Sequence, residues 1–308
     1  MDLVLPNLFV PGAAKSGTSS LHEYLDQHPD IFMTKRKEPH FFSHEEHYTR
    51  GLSWYSSLFE EGRNCAYRGE SSTGYMVFAR VIERVKRDIP SPRFILILRN
   101  PVDRAWSHYR WLQGMGYEPD DFRTAFLRDM NEQPDADQFL GVGYKYYFQF
   151  GLYGKWLSKY IQAFGRSAIH IVTTEALSKA PLETINSCLS FLGLSPLQQL
   201  TTLTKNRSVR LRYPWLYRTV VAALNSPGRT NVGPVLRAST SDGFRRRLSL
   251  AKRDLLLWLK GRLAFEAADE PLPTELRRWT ADYYVSDVES LRIVTGMAFR
   301  AWGTDFPV

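Results

Sequence analysis

Three short segments of the chain carry residues whose types and spacing suit them to binding anions and moving protons. The first, Gly12 to Ser19 (GAAKSGTS), follows the apolar run 8–10 and precedes a helical pattern over 18–27. Small residues between a strand and a helix let backbone N–H groups approach a phosphate at the helix N-terminus. This segment therefore predicts an anion-binding loop. Its candidate binding residues are Lys15, Ser16, Gly17, Thr18 and Ser19.

The loop differs from the phosphate loop of nucleoside triphosphatases in the position of its lysine. In the pattern GxxxxGK[ST] the lysine follows the second glycine. Gly12 and Gly17 have that spacing here, but Lys15 precedes the second glycine and Thr18 stands where the lysine is expected. The pattern favours a phosphate-binding loop of another class, and a plain glycine–serine turn is the alternative.

A second anion-binding element is predicted where the most apolar run, 93–98, ends at Arg99. A nucleoside triphosphatase usually has a magnesium-binding aspartate after this strand. A guanidinium is permanently charged and binds a phosphate directly through two hydrogen bonds. Asn100 is suited to capping the next helix, and Ser107 lies two turns into it, where its hydroxyl is predicted to reach the same phosphate. No metal ion is implied.

The third segment, Lys37 to Phe42 (KEPHFF), places a carboxylate and an imidazole two residues apart. Glu38 is the candidate general base and His40 its polar partner. The flanking proline and phenylalanines predict a partly dry setting, which would raise the pKa of the Glu38 carboxyl. A surface glutamate beside a histidine at the edge of the core is the competing interpretation, and spacing alone does not separate the two.

The order of apolar and helical patterns predicts the fold class. Apolar runs suited to buried strands alternate with amphipathic helical patterns, which favours an α/β fold with a P-loop-like parallel sheet flanked by helices. The chain, 1–308, is interpreted as one domain in which 204–270 form a variable helical insertion or cap near the C-terminus. The predicted strands are 8–10, 93–98 and 168–173, and the predicted helices are 18–27, 101–113, 184–192 and 273–302.

The 308 residues have a net charge of +8, and the positive excess is concentrated in one stretch. Residues 204–262 contain 14 basic and 2 acidic residues, which favours an anionic partner such as a glycan, a phospholipid surface, a nucleotide or a nucleic acid. Within this stretch, 244–267 are predicted to form a basic amphipathic helix. Such a helix would line an acceptor groove, lie against anionic lipid as a peripheral membrane contact, or pack its leucines into the core.

Cysteine usage and the N-terminal residues bear on the compartment. Cys65 and Cys188 lie far apart without a CxxC pattern or a histidine cluster, which argues against a zinc site and a disulfide framework. The first residues lack the basic head and apolar stretch of a secretory signal, and no run of about 18 apolar residues occurs. The sequence therefore predicts a cytoplasmic protein, with peripheral membrane contact as an alternative.

Taken together and in this order, the three segments resemble the sulfotransferases that use 3′-phosphoadenosine 5′-phosphosulfate, most of all the heparan-sulfate branch and its bacterial relatives. The segment 15–19 (KSGTS) is similar to that family's 5′-phosphosulfate loop, and 93–109 is similar to its 3′-phosphate motif. The segment 37–55, with its KExHFF and HY…G…WY patterns, resembles the one that carries the catalytic glutamate. The resemblance covers roughly 6–200 and, more loosely, 271–303.

The resemblance implies a donor, a mechanism and an acceptor class. It implies that Glu38 takes the proton of an acceptor hydroxyl, or less readily an amine, and that His40 orients Glu38 or the acceptor. Lys15, with the turn amides at 17–18, would face the departing 5′-phosphate, while Arg99 and Ser107 would hold the 3′-phosphate. The implied donor is 3′-phosphoadenosine 5′-phosphosulfate without a metal ion, and the implied acceptor is a carbohydrate or glycolipid.

One position departs from the heparan-type pattern. Those enzymes bring a second lysine to the site within a Glu-Lys-Thr-Pro segment, whereas this chain has Ser71 within 69–75 (GESSTGY). A serine cannot supply that charge. The departure argues against heparan itself as the acceptor and assigns more of the leaving-group stabilisation to Lys15.

Alternatives from other classes remain at this stage. A sulfotransferase acting on a small-molecule or lipid hydroxyl has the same signature residues. A P-loop kinase is disfavoured by the displaced Lys15 and by Arg99, and a nucleotide- or polyanion-binding module is disfavoured by the pair Glu38 and His40. A nucleic-acid partner is not predicted, because the basic stretch carries no recognition motif.

Overall fold

The computed structural model describes residues 2–138, 144–201 and 270–307, together with short pieces at 209–211, 213, 219 and 264–266. The chain divides into two compact units. The first consists of 1–108, 121–205 and 272–308, and the second of 109–120 and 206–271. Assignment of the whole chain to one sulfotransferase domain stays a prediction.

The first unit is built on a five-stranded sheet in which all strand pairs are parallel. Its strands are β1 (Leu8–Phe9), β2 (Ile31–Met33), β3 (Tyr67–Glu70), β4 (Arg93–Leu98) and β5 (Ile169–Thr173). The spatial order is β2-β3-β1-β4-β5, so the first strand lies in the centre between the third and the fourth. This architecture confirms the predicted α/β fold with a parallel sheet.

Helices follow most of the strands, as the alternating pattern predicts. The helix predicted for 101–113 runs from 101 to 114, and the one predicted for 184–192 begins one turn earlier, at Pro181. Within 2–138, 144–201 and 270–307, the α-helices are α1 (Thr18–Leu25), α2 (Glu45–Tyr48), α3 (Gly51–Ser56), α4 (Ala79–Asp88), α5 (Pro101–Gly114), α6 (Phe122–Met130), α7 (Tyr153–Phe164), α8 (Thr174–Lys179), α9 (Pro181–Leu192), α10 (Thr274–Asp282) and α11 (Val285–Thr295).

Strand β4 is buried on both of its faces, which explains its uninterrupted apolar sequence. Ile95 and Ile97 belong to an apolar cluster with side chains of α1 and α9. Phe94 points to the other face, where its ring lies 5.2 Å from that of Tyr160 on α7. Burial of each such side chain contributes about 1.5–3 kcal/mol, so the core fixes the strand that ends at the predicted phosphate-binding arginine.

The C-terminal segment corrects one prediction. A single helix was expected over 273–302, but the chain forms α10 and α11, followed by a 3₁₀ turn at Arg300–Trp302. The break coincides with Tyr284, whose fully buried hydroxyl donates to the carbonyls of Tyr147 and Phe148. Just after the break, the Asp287 carboxylate accepts hydrogen bonds from the first backbone N–H groups of α7. These distant contacts require the chain to turn here.

The second unit contains a two-stranded antiparallel sheet of β6 (Val209–Leu211) and β7 (Ala264–Glu266). The helix predicted for 244–267 is wrong at 264–266, because the backbone of these residues pairs with β6 across the sheet. The rest of that helix, and with it the predicted helical insertion and lipid-binding face, lies outside the described residues. Arg110 and Glu270 form an ion pair within this unit, with Nη1 and Oε2 2.6 Å apart.

Two observations bear on membranes and thiols. Across the described ranges, the helices are too short or too polar to cross a bilayer. Cys65 is half-buried and Cys188 buried, and both are free thiols.

Candidate active site

The carboxyl ends of four parallel strands bring two predicted site residues, Lys15 and Arg99, and two further polar residues to one edge of the sheet. The loop that carries Lys15 follows β1, Glu70 ends β3, Arg99 follows β4, and Thr174 follows β5. The chain moves from β1 to one side of the sheet for β2 and β3 and then to the other side for β4. Open α/β sheets bind ligands at such a reversal, outside the carboxyl ends of the strands.

The loop after β1 is held by backbone contacts to β4 and by one threonine. The N–H of Ala13 donates to the carbonyl of Ile97 at 2.8 Å, and the Thr174 hydroxyl donates to the carbonyl of Ser16 at 2.6 Å. Gly17 has a φ of 94°, a conformation that glycine adopts without strain. Helix α1 begins at the next residue, Thr18, so the predicted loop-to-helix junction is confirmed.

Arg99 and the Lys15 loop lie side by side. The Arg99 Nη1 atom is 3.5 Å from the carbonyl oxygen of Lys15, and the hydroxyl of Tyr153 donates to the Arg99 carbonyl at 2.9 Å. Asn100 caps α5 as predicted, because its Oδ1 accepts from the N–H of Val102 at 3.0 Å. The structure thus joins two cationic segments that are 84 residues apart in the sequence.

Three further candidate residues of the donor site lie on two helices. Thr18 is buried at the start of α1 and Ser19 beside it is half-buried. Ser107 is half-buried on α5, the helix that follows Arg99. Both helices start at the carboxyl edge, and their N-terminal N–H groups favour anions there.

Glu38 and His40 form the predicted pair. His40 Nε2 lies 3.2 Å from Glu38 Oε2, and the hydroxyl of Thr73 donates to Glu38 Oε1 at 3.2 Å. Burial acts to raise the pKa of Glu38, but His40, the Lys37 ammonium and Thr73 outweigh it and hold the pKa below its ordinary value. The expected upward shift was therefore wrong in direction, because the carboxylate has partners that compensate its desolvation.

The backbone at the candidate catalytic residues is strained. Among the described non-glycine residues, five have a φ in the left-handed region, and Lys15, Glu38 and His40 are three of them, at 67°, 51° and 51°. Such a conformation costs on the order of 1–3 kcal/mol and persists only where the surrounding structure enforces it. Strain concentrated at these three positions supports a functional role for the segments that carry them.

A buried carboxylate holds the segment that carries Glu38 and His40. Glu70 is fully buried and accepts hydrogen bonds from the hydroxyls of Tyr55 and Ser72, each at 2.6 Å. The Ser72 oxygen in turn accepts from the N–H of His40 at 3.1 Å. Burial raises the pKa of Glu70, whereas these hydrogen bonds lower it. The network links β3 to the backbone of His40, the partner of Glu38.

Removing one donor from this network is expected to destabilise the fold. Tyr55→Phe keeps the ring but deprives the buried Glu70 carboxyl of a hydrogen bond, so the free energy of unfolding should fall by about 1–3 kcal/mol. Urea unfolding of the variant and the wild type measures this difference. Tyr24→Phe is the matched control, because Tyr24 is also largely buried but its hydroxyl has no hydrogen-bond partner within the described ranges. An equal decrease in the free energy of unfolding in the two variants would contradict the prediction.

Sequence patterns did not reveal three residues that build this site. Thr73 donates a hydrogen bond to Glu38, Thr174 donates one to the loop that carries Lys15, and Glu70 supports the backbone of His40 through Ser72. Their common signal is position, since each lies at or just after the carboxyl end of a parallel strand. Polar residues directly after a predicted buried strand are therefore the feature to search for. In the part of the chain that the structure describes, no group of three or more metal-binding side chains comes together.

Comparisons with known proteins identify the family of the chain. A family model described as a sulfotransferase domain matches residues 5–216. Heparan sulfate glucosamine 3-O-sulfotransferase 6 of Homo sapiens is 30% identical over 190 residues, which cover 61% of this chain and 52% of that protein. Membrane-associated sulfotransferase kil1 of Dictyostelium discoideum is 31% identical over 152 residues, which cover 47% of this chain and 31% of that protein. The chain thus spans about half the length of the heparan sulfate relatives it matches.

A solved structure shares the fold. The sulfotransferase from Alicyclobacillus acidocaldarius superposes with a TM-score of 0.65 at 24% identity, over 96% of this chain and 98% of that one. Because the family model spans more than half of the sequence, the chain belongs to the sulfotransferase domain family.

Proposed function

We propose that the protein transfers a sulfuryl group from 3′-phosphoadenosine 5′-phosphosulfate to a hydroxyl of a carbohydrate or glycolipid. The observation that carries the proposal is the contact between Arg99 and the Lys15 loop at 3.5 Å, which gives one edge of the sheet two separate cations. A nucleotide with phosphates on both its 3′ and 5′ positions presents two anionic groups to match them. The donor supplies the sulfuryl group, and the chain supplies the charges that hold it.

Glu38 is the proposed general base. As the acceptor oxygen forms its bond to sulfur, the proton of the hydroxyl passes to the Glu38 carboxylate. The bond between sulfur and the bridging oxygen breaks, and its electron pair stays on the 5′-phosphate. A carboxylate with a lowered pKa is fully ionised at neutral pH, so it is ready to accept the proton. His40, at 3.2 Å, holds the carboxylate in place.

Lys15 and the start of α1 are proposed to stabilise the departing 5′-phosphate. Cations and backbone N–H groups that are fixed before the reaction need no reorganisation as negative charge develops. The loop has this property because Thr174 and the backbone of Ile97 hold it. Ser16, Thr18 and the exposed Gly17 complete the proposed 5′-side contacts, and Arg99 with Ser107 is proposed to bind the 3′-phosphate.

A row of aromatic rings beside the base supports a carbohydrate acceptor. The rings of His40 and His44 are 4.9 Å apart, those of His44 and His47 5.4 Å, and those of His47 and Trp54 6.1 Å. The guanidinium groups of Arg36 and Arg50 lie 5.2 and 3.8 Å from the centre of the Trp54 ring. Flat ring faces with a cationic rim suit a sugar ring that bears anionic groups.

A panel of acceptors tests the proposal. Glycans, glycolipids, simple lipids and phenols are each incubated with the sulfate-labelled donor, and products are identified by mass spectrometry as a gain of one sulfuryl group. Transfer to a glycan or glycolipid above the other classes is the expected result. Transfer only to phenols or simple lipids would overturn the acceptor class, and magnesium-dependent ATP hydrolysis without sulfuryl transfer would overturn the enzyme class.

A further inference from the structure

A second lysine reaches the proposed donor site from the segment that carries the base. The Nζ atom of Lys37 donates a hydrogen bond to the hydroxyl of Ser19, in the first turn of α1. Lys37 is the residue before Glu38 and lies 18 residues from Ser19 in the sequence. One side chain therefore connects the proposed catalytic segment to the helix N-terminus that faces the 5′-phosphate.

The surroundings of this ammonium indicate that its charge acts on the site. The Lys37 charge and, above all, burial lower the pKa of His22 to about 4, so the imidazole is neutral at pH 7. His22 Nδ1 lies 2.9 Å from the hydroxyl of the fully buried Ser71. The Lys37 charge therefore acts on a neutral histidine and on the Glu38 carboxylate. Desolvation lowers the pKa of Lys37, while Glu38 and Glu23 act to raise it.

The two lysines act electrostatically on different histidines, Lys15 on the buried His108 of α5 and Lys37 on His22 of α1. The hydrogen bond from Lys37 to Ser19 places its ammonium at the first turn of α1. A departing phosphate bound there would have the Lys37 ammonium beside it in addition to the Lys15 loop. Lys37 also precedes the proposed base in the sequence, and its ammonium is one of the groups that lower the pKa of Glu38.

We infer that Lys37 is a further catalytic residue, whose ammonium binds the departing 5′-phosphate and stabilises the charge that develops there. The inference rests on the proposed sulfuryl transfer and deepens it. The bond between sulfur and the bridging oxygen leaves its electron pair on the phosphate, and Lys37 compensates that charge without losing its proton. The Ser19 hydroxyl positions the ammonium beside the helix N-terminus.

The variant Lys37→Met tests this assignment, because it keeps an unbranched side chain and removes the ammonium, with both its charge and its hydrogen bond to Ser19. Since Lys37 is exposed and solvent screens it, we expect a moderate effect, with kcat reduced about tenfold at every pH. The affinity for adenosine 3′,5′-bisphosphate, which carries the developed phosphate charge, should fall by a similar factor in a calorimetric titration. Lys37→Arg should recover most of both losses.

Lys35→Met is the matched control. Lys35 is two residues away in the same basic run but forms its ion pair with Glu61, so removal of its charge should leave kcat and bisphosphate affinity at wild-type values. Melting temperatures of the two methionine variants equal to that of the wild type establish that the fold is intact.

The experiment also distinguishes the other possibilities. Unchanged bisphosphate affinity and unchanged kcat in Lys37→Met would overturn the inference. In another outcome, the pH profile of kcat for Lys37→Met loses activity at a higher pH than that of the wild type, while its maximal kcat and its bisphosphate affinity are unchanged. Lys37 would then only lower the pKa of Glu38, and the inference would be overturned as well. Failure of the wild type to bind the bisphosphate at all would contradict the proposed function itself.

Discussion

Replacing Glu38 by glutamine is expected to lower kcat about 1,000-fold while leaving the affinity for adenosine 3′,5′-bisphosphate within about threefold of the wild-type value. The amide retains the size of the side chain and can still accept from Thr73 at Oε1. It cannot take a proton from the acceptor hydroxyl. The loss should therefore appear in turnover rather than in binding of the nucleotide.

Single-turnover sulfuryl transfer and a calorimetric titration with the bisphosphate measure the two quantities separately. Glu46→Gln is the matched control, because Glu46 is an exposed carboxylate a few residues along the same segment. This variant should retain full turnover. A turnover of Glu38→Gln within about tenfold of the wild type would remove Glu38 from the role of base.

The pH dependence of turnover follows from the same residue. The base must be ionised, so activity is lost as the pH falls through its pKa. Because His40 and Lys37 hold that pKa below the ordinary value, the acidic limb of the wild-type profile should lie below about pH 4.3. In His40→Asn the limb should move to higher pH, since His40 contributes the hydrogen bond and the charge that lower the pKa most.

The positions that sequence patterns predicted correctly are those defined by local structure. Arg99 follows a strand whose apolar run, 93–98, matches the observed β4 at both ends. The loop with Lys15 follows β1 and leads into α1 in the same way. A buried parallel strand has an unmistakable composition, so the residue that follows it can be located from the sequence alone.

The features that sequence patterns did not predict depend on contacts between distant residues. His40, Lys37 and Thr73 together reverse the expected direction of the Glu38 pKa shift. Of these three, Thr73 is 35 residues away from Glu38 in the sequence. The C-terminal helix breaks where Tyr284 reaches the carbonyl of Tyr147, 137 residues earlier. Local periodicity contains no information about such partners, so the sequence predicts a raised pKa for Glu38 and an unbroken C-terminal helix.

Arg99→Ala is expected to weaken binding of adenosine 3′,5′-bisphosphate about 100-fold, the size of loss that follows when hydrogen bonds to a charged group are removed. The Arg99 carbonyl would still accept from Tyr153, so the backbone at the end of β4 should stay in place. Arg93→Ala is the matched control. Arg93 lies at the opposite end of the same strand, where its Nη1 donates to the carbonyl of Ser167 at 2.7 Å.

Binding of a second nucleotide shows which phosphate of the ligand Arg99 contacts. Adenosine 5′-monophosphate has no 3′-phosphate, so its affinity should be the same for Arg99→Ala and the wild type. The wild type should prefer the bisphosphate, and the variant should lose most of that preference. Arg99→Lys should recover only part of it, because an ammonium cannot form the paired hydrogen bonds of a guanidinium. An equal loss of affinity for both nucleotides would place Arg99 away from the 3′-phosphate, since only a contact to that group distinguishes the two ligands.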